Sequence, residues 1–170
     1  MQYWPHPACL PTPVLLESCR FERTRRGGPG GQHRNKVESA IVAHHLPTGV
    51  TGQASERRSQ HSNREVAIVR LRMNLAIQVR MEIAEDQKPS LLWQQRLSGN
   101  KISVGVNHED FPAVIAEVLD WLQLFEFRFA PTARKLGCST SQLIKLIQAQ
   151  DQVLTSVNRT RQQMGKCPLK

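Results

Sequence analysis

A glycine-rich stretch near the N-terminus places the strongest limit on how this chain can fold. Residues 27–31 read Gly-Gly-Pro-Gly-Gly. Four glycines and a proline in five positions fit neither a helix interior nor a strand interior, because glycine is too flexible and proline lacks a backbone N–H. The stretch therefore predicts a loop whose backbone amides can approach a ligand closely, since no Cβ atoms stand in the way.

Positive charge surrounds this glycine loop. From Arg20 to Lys36 there are six basic residues and one acid, Glu22. The whole chain of 170 residues has a net charge of +9 and a pI near 10.0. This balance favours a nucleic-acid partner over a membrane or an acidic protein. The alternative is a basic surface that serves solubility alone.

Cysteine spacing and the N-terminal composition exclude several classes of protein. The four cysteines lie far apart without a Cys-x-x-Cys pair, so we expect neither a zinc site nor a disulfide framework, and no metal or cofactor. Residues 1–13 contain four prolines and no long apolar run. They predict a flexible arm rather than a signal peptide or a membrane span, and we expect a cytoplasmic monomer.

The hydrophobic pattern predicts an α+β fold, with strands and a hairpin before a long helix. A helical turn and strand over 14–23 would lead into the glycine loop, and strands over 39–46 and 50–55 would pair across the turn at 47–49. Ser62 and Glu65 match a capping box, which predicts a helix to about Asp86 with apolar positions 66, 69, 73, 76, 77 and 83. Its arginines at 64, 70, 72 and 80 fit a solvated face or an RNA-facing one equally well.

The composition predicts a division of the chain at Lys88-Pro89-Ser90. We expect a flexible arm over 1–13, a loop-bearing domain over 14–88 and a small helical unit over 89–170. Within that unit, alternating apolar residues suggest a short strand or an extended arm over 102–106. Asp110 is the expected N-cap of a helix with Pro112 in its first turn, and Asp151 that of a last helix to about Met164.

Residues 131–148 have the spacing of a helix–turn–helix. Ala133 would lie at the helix crossing, Gly137 in the turn, and Ser139 would cap the second helix together with Gln142. The exposed side would offer Ser141, Gln142, Lys145 and Gln148, with Arg134 and Lys135 behind them. A plain helical packing unit is the favoured interpretation, and a DNA-reading unit the alternative.

Three motifs over 19–80 resemble the catalytic domain of class I peptide chain release factors. The first is Gly28-Pro29-Gly30-Gly31-Gln32-His33-Arg34-Asn35-Lys36. The others are the segment 45–49 (His-Leu-Pro-Thr-Gly) and the segment 56–60 (Glu-Arg-Arg-Ser-Gln) with Asn63. Their order and spacing are more specific than a lone Gly-Gly-Gln. Two mild departures are Gly27, where serine or alanine is usual, and the extra arginine at 58.

This resemblance implies hydrolysis of the ester between a nascent peptide and tRNA on the ribosome. The implied catalytic residues are Gly30, Gly31 and Gln32, with the backbone N–H of Gln32 stabilising the transition state and its side chain restricting the site to water. The implied RNA-binding residues are Arg25, Arg26, Arg34, Lys36, Arg57 and Arg58. Loop support would come from Gly28, Pro29, Asn35, Ser59 and Gln60, although a turn and helix cap is the favoured structural role of 56–60.

The resemblance also implies large-subunit ribosomal RNA and peptidyl-tRNA as partners. About eighteen residues precede the matching region, which is too few for a codon-reading domain, so we expect a short, codon-independent hydrolase that acts in ribosome rescue or quality control. The alternatives are a ribosome- or RNA-binding factor without enzymatic activity and, less favoured, a DNA-binding regulator that uses residues 131–148.

Overall fold

The structure is a computed structural model that describes residues 4, 6–24 and 39–169. Its first unit is a three-stranded antiparallel sheet in the order β1-β2-β3. The strands are β1 (Cys19–Thr24), β2 (Ala40–His45) and β3 (Thr51–Ala54). A helix α1 (Thr12–Glu17) precedes β1, as the sequence predicts, and the β2–β3 turn contains Gly49 at φ +70°.

The long helix α2 (Gln60–Gln78) covers one face of this sheet. Its N-cap is Ser59, whose Oγ accepts a hydrogen bond from the N–H of Ser62, so the prediction of Ser62 as the cap is wrong by three residues. Both serines fit a capping pattern, and the chain uses the earlier one. The buried positions are Asn63, Ala67, Leu71, Met73, Leu75 and Ala76. The predicted apolar face is therefore shifted, and Val69 is 65% exposed.

Helix α2 ends eight residues before the predicted position. Val79 has an extended backbone, and the N–H of the following Met81 donates to Asp120 at 3.1 Å. Arg80 pairs with the same carboxylate at 3.2 Å. A buried partner distant in sequence thus draws the chain out of the helix, which local periodicity cannot predict.

The second half of the chain is mainly helical. Helix α3 (Leu91–Arg96) leads into a two-stranded ribbon, β4 (Leu97–Ser98) and β5 (Lys101–Ile102). Helix α4 (Phe111–Leu124) is buried along its first twelve residues. It is followed by α5 (Phe129–Leu136), α6 (Thr140–Gln148) and α7 (Asp151–Gln163). The α+β fold class is confirmed.

One of the two predicted acidic N-caps in this half is confirmed, and the other is wrong by one residue. Asp110 is the N-cap of α4, with Pro112 in the first turn, although its carboxylate pairs with Arg96 and makes no side-chain capping bond. Asp151 lies in the first turn of α7, whose N-cap is Gln150. Acidic side chains still favour the positive end of the helix dipole from that first turn.

One hydrophobic core joins the two halves. Helices α2 and α4 pack against each other, and the core includes Leu71, Trp93 and Trp121 from both sides of the predicted boundary. The division at 88–90 remains a prediction about domains. None of the described helices is long and apolar enough to cross a membrane.

The described part of the predicted flexible arm packs into this core. Trp4, His6 and Ala8 are buried, and a short 3-10 helix spans Pro7–Cys9. The indole N–H of Trp4 donates to Asp120 at 2.9 Å. Arg72 of α2 donates to the carbonyls of Ala8, at 2.9 Å, and of Leu10, at 2.6 Å. The proline-rich composition predicts a flexible or extended arm. In the structure, Trp4 and His6 attach this segment to the core.

Candidate functional site

The register of the sheet places the glycine-rich stretch between two directly paired residues. Thr24, the last residue of β1, lies opposite Ala40, the first residue of β2. The segment that joins them contains the glycine stretch and lies outside the described residues, apart from Ser39. This holds for all of the predicted catalytic residues and most of the predicted RNA-binding and support residues: Arg25, Arg26, Gly28, Pro29, Gly30, Gly31, Gln32, Arg34, Asn35 and Lys36. Their roles stay predictions.

A buried amide fixes the point where the chain leaves this segment. The side chain of Asn63 on α2 is fully buried, and its Nδ2 donates to the carbonyl of Ser39 at 2.6 Å. The same nitrogen donates to the carbonyl of Arg57 at 3.0 Å, and Oδ1 accepts from the N–H of Arg57 at 2.9 Å. One neutral side chain therefore joins the C-terminal end of the glycine segment to the turn before α2.

That turn carries the other predicted site residues. Arg57, Arg58, Ser59 and Gln60 are exposed. Ser59 is the N-cap of α2 and Gln60 its first residue, which is the turn-and-cap role favoured from the sequence. The guanidinium groups of Arg57 and Arg58 are the exposed charges nearest in sequence to this cap, and their RNA contact stays a prediction.

Arginines of α2 brace the sheet and the turn from within the protein. Arg70 donates to both carboxylate oxygens of Glu56, at 3.2 and 2.6 Å, and to the carbonyl of Gln53 at 2.8 Å. The N–H of Ser55 donates to the same carboxylate, and this bond and the contact with Arg70 lower the pKa of Glu56. Arg64 lies over the ring of Phe21 in β1, 3.9 Å from its centre. These arginines therefore have intramolecular roles. The sequence predicted only a solvated helix face or an RNA-facing one.

A close backbone contact fixes the sheet on α2. A Cβ atom at Gly52 in β3 would lie 2.3 Å from the nitrogen of Leu71 and 2.4 Å from the carbonyl oxygen of Ala67. Only glycine fits this distance between strand and helix. A single glycine inside a strand is a recognised sign of such an approach, so Gly52 is the feature of the sequence that signals this contact.

The remaining polar groups near the sheet have structural contacts. His45 is buried at the end of β2, where its Nδ1 lies 2.7 Å from the hydroxyl of Thr48 in the turn. Burial lowers the pKa of His45, so its ring favours the neutral form. Among the described residues, no group of three His, Cys, Asp or Glu side chains is placed to hold a metal ion.

The helix–turn–helix spacing predicted over 131–148 corresponds to two helices joined by a turn. Gly137 ends α5 in the left-handed conformation at φ +67°, and the Oγ of Ser139 accepts from the N–H of Gln142 at 3.2 Å. The residues Leu143, Leu146 and Ile147 of α6 face the core. Ser141, Lys145 and Gln148 lie on its exposed side.

The region that contains the sheet and α2 matches a known protein family. A family model described as the RF-1 domain matches residues 14–109, which include the sheet, α2 and the start of the helical half. The chain belongs to the RF-1 domain family. The match begins within α1 and therefore covers the glycine segment, both strands that hold it, and Asn63.

Individual relatives are similar to this chain over about half of its length or less. Peptide chain release factor 2 of Acidovorax sp. (strain JS42) is 42% identical over 91 residues, which are 53% of this chain and 23% of that protein. Peptide chain release factor PrfB2, chloroplastic, of Arabidopsis thaliana is 39% identical over 93 residues, which are 52% of this chain and 19% of that protein. The chain thus spans about a quarter or less of the length of these curated relatives.

A shorter match has a higher identity. Peptide chain release factor 1 of Dictyoglomus thermophilum is 50% identical over 56 residues, which are 33% of this chain and 15% of that protein. The similarity is therefore to a limited part of each relative.

Proposed function

We propose that this protein releases nascent peptides by hydrolysing the ester of peptidyl-tRNA in the peptidyl-transferase centre of the ribosome. The observation that carries the proposal is the Gly-Gly-Gln sequence at residues 30–32, within a segment whose ends are joined to paired strands and to Asn63. Its place in the RF-1 domain family supports the same reaction.

In this proposal the protein contributes a backbone donor to the reaction. Attack of water on the ester carbonyl creates negative charge on oxygen, and a preorganised N–H at that charge is typically worth about 3–4 kcal/mol. Gly30 and Gly31 would allow the N–H of Gln32 to reach the reacting atoms without a side-chain clash. The side chain of Gln32 would admit water and exclude larger nucleophiles, and ribosomal RNA and tRNA would form the rest of the site.

Positive charge would hold the segment against RNA. Arg25, Arg26, Arg34 and Lys36 flank the glycines, and Arg57 and Arg58 are exposed on the turn that Asn63 joins to the segment. Phosphate contacts of this kind position a protein without reading sequence. The expected partners are therefore large-subunit ribosomal RNA and the tRNA that carries the peptide.

We further propose that release by this chain does not depend on a stop codon. The described residues that precede the RF-1 match are engaged in packing, since Trp4 bonds to Asp120 and Ala8 and Leu10 bond to Arg72. The part of this chain before the sheet therefore braces α2 and α4 rather than reading a codon. This activity would suit rescue or quality control of stalled ribosomes.

The test is release of a labelled peptide from purified ribosomes with a stop codon, a sense codon or no mRNA in the A site. We expect similar rates on the three complexes. Gly31→Ala should lower the rate by about 10²–10³-fold, while Gln32→Ala should change it little, because the backbone carries the chemistry. Release that requires a stop codon would contradict codon independence alone, and an active Gly31→Ala variant would contradict the mechanism.

A further inference from the structure

The C-terminal helices hold most of the net charge of the molecule. Residues 127–170 contain eight Lys and Arg residues and one acid, Asp151, which is a net charge of +7 out of the total of +9. Residues 89–126, which include α3 and α4, contain two basic and five acidic residues. The excess positive charge is therefore separated from the neighbouring helix rather than spread over the surface.

Helices α5, α6 and α7 form a small unit with an apolar inside. Consecutive helices contact each other, and the buried residues Ala133, Leu136, Leu143, Ile147 and Val157 come from all three. Because the apolar residues face inward, the polar ones form a strip on the outer side of each helix. Arg134, Lys145 and Arg159 lie on these exposed strips, one on each helix.

Some basic residues of this unit already have partners. Arg161 donates to the carbonyls of Phe127 and Cys167, both at 2.9 Å. Lys135 bonds to the carbonyl of Glu85 and lies over the ring of Trp121. These side chains hold the unit together and attach it to the rest of the protein.

Arg128 and Lys166 also bond to backbone carbonyls, those of Phe125 and Glu126. Three other basic residues among the described part of the unit are free to contact a ligand. Arg134, Lys145 and Arg159 are exposed, and within the described residues no acid or acceptor pairs with them. Asp151 is the one acid of the unit, and it lies in the first turn of α7, where the helix dipole favours it. We use the name helical basic face for Arg134, Lys145 and Arg159, one exposed residue on each of the three helices.

We propose that the helical basic face binds the phosphate backbone of structured RNA. A surface of one charge sign with unpaired Lys and Arg suits a polyanion. A protein partner usually needs an apolar or aromatic centre in its interface, and among the described residues of 127–169 the large hydrophobic side chain that is exposed is Met164, at 40%. The choice of RNA over DNA rests on the proposed function, whose site lies in ribosomal RNA.

Such binding would give the chain two RNA contacts of different kinds. The glycine segment would carry the reaction, and the helical basic face would add sequence-independent affinity from another part of the molecule. Phosphate contacts fix position and orientation without reading bases. The helical half could then hold the protein on the ribosome while the glycine segment enters the active site.

The test measures binding of a fluorescein-labelled RNA hairpin by fluorescence anisotropy over a series of KCl concentrations. Lys145→Gln/Arg159→Gln removes two charges from the helical basic face. We expect affinity at low salt to fall about fivefold to tenfold, and the slope of log K against log [KCl] to decrease by about 2, one for each lost phosphate contact.

The matched control is Lys88→Gln/Lys101→Gln. It also removes two exposed positive charges, from residues outside the three helices. It should leave affinity and slope close to those of the unmodified protein. Equal effects of the two double variants would contradict the proposal, because binding would then follow net charge alone. An unchanged slope in Lys145→Gln/Arg159→Gln would also contradict it.

Competition identifies the class of polyanion. Unlabelled RNA hairpin should displace the probe at several-fold lower concentration than a DNA hairpin of the same sequence or polyglutamate. Equal or better displacement by DNA or by polyglutamate would overturn the assignment to RNA. Circular dichroism should show the same helix content for both double variants and the unmodified protein.

The proposed reaction is tested separately with Gly31→Ala. This variant should bind the hairpin like the unmodified protein while losing peptide release. If the unmodified protein releases no peptide but the helical basic face still binds RNA as described, the reaction fails and the binding proposal stands. If release is normal and the two double variants bind alike, the binding proposal fails alone.

Discussion

Two regions of this molecule hold distant segments in place by opposite means. The buried contacts that fix the sheet and the glycine segment on α2 are neutral, namely the backbone contact at Gly52 and the amide of Asn63, whereas the Arg70–Glu56 ion pair lies at the surface. The helical half is joined to the rest by buried ionisable groups on α4. Asp120 accepts hydrogen bonds from Trp4, Arg80 and Met81, and Glu117 accepts them from Ser90.

The difference has a consequence for function. Neutral contacts do not titrate, so the root of the glycine segment should keep its geometry over a wide range of pH. Buried carboxyl groups do titrate, and burial raises the pKa of both Glu117 and Asp120. The contacts between the two halves should therefore respond to pH, while those at the root of the glycine segment should not.

The largest effect is expected from a substitution at Gly52, where β3 and α2 are in close backbone contact. Gly52→Ala would place a methyl group within 2.6 Å of the backbone of α2, which cannot move aside as a flexible side chain could. We expect the free energy of unfolding to fall by about 3 kcal/mol, at the upper end for overpacking. Urea denaturation measures it, and the loss should be the same at acid and neutral pH.

Gly105→Ala is the matched control for this substitution. A Cβ atom at Gly105 would meet no heavy atom within 4 Å. Its stability should stay within about 1 kcal/mol of the original, because only the entropy of the unfolded chain changes. A small cost for Gly52→Ala, similar to that of the control, would show that the sheet can move away from α2.

Glu117 on α4 is one of the buried carboxyl groups that join the two halves. Burial, opposed by hydrogen bonds from Ser90 and assisted by the charge of Asp120, raises the pKa of Glu117 to about 7. The folded state then binds more protons than the unfolded state between the ordinary pKa of a glutamate and about 7. Stability from this group is fully present below that window and is lost as pH rises through it.

Glu117→Gln should therefore match the unmodified protein near pH 4.5 and exceed its stability at pH 7.5 by about 2–3 kcal/mol. His6 titrates in the opposite sense, since burial lowers its pKa to about 4. It is unchanged in the variant, so the difference between the two proteins reports Glu117. Urea denaturation at several pH values measures this difference, and a difference that stays constant with pH would contradict the role of Glu117.

The contrast between the regions also decides what the sequence could predict. Strands β1–β3, the hairpin turn and the paired helices around Gly137 follow from local patterns, and the structure confirms them. The end of α2 at Gln78 depends on Asp120, and the packing of the N-terminal segment depends on Trp4 and Arg72. These contacts join residues far apart in sequence, and proline content or periodicity carries no information about them.

The candidate site shows the same limit. The glycine segment is recognisable from its composition, and Asn63 was part of the recognised motifs. The contacts of its side chain were not predictable. The positions of Ser39, Arg57 and Asn63 along the chain do not show that the Asn63 amide bonds to the backbone of the other two residues. The sequence indicates which residues belong to the proposed site, whereas the fold shows that Asn63 joins Ser39 to the turn before α2.

The smallest effect is expected from removal of the Asn63 side-chain amide. Asn63→Ala leaves the carbonyls of Ser39 and Arg57 and the N–H of Arg57 without their buried partner. We expect a loss of about 2 kcal/mol in the free energy of unfolding. Asn74→Ala, on the same helix, is the control. It removes a single hydrogen bond, which is exposed, to the carbonyl of Thr51, and it should cost about 0.5–1 kcal/mol.

Peptide release separates positioning from stability in these two variants. At a temperature where both are fully folded, Asn63→Ala should reduce the maximal rate on ribosomes, because Ser39 leads directly out of the glycine segment. Asn74→Ala should release peptide at the original rate, since its bond lies at the far end of β3. Equal release by the two variants would mean that the sheet pairing of Thr24 with Ala40 is enough to hold the segment, and that Asn63 serves stability alone.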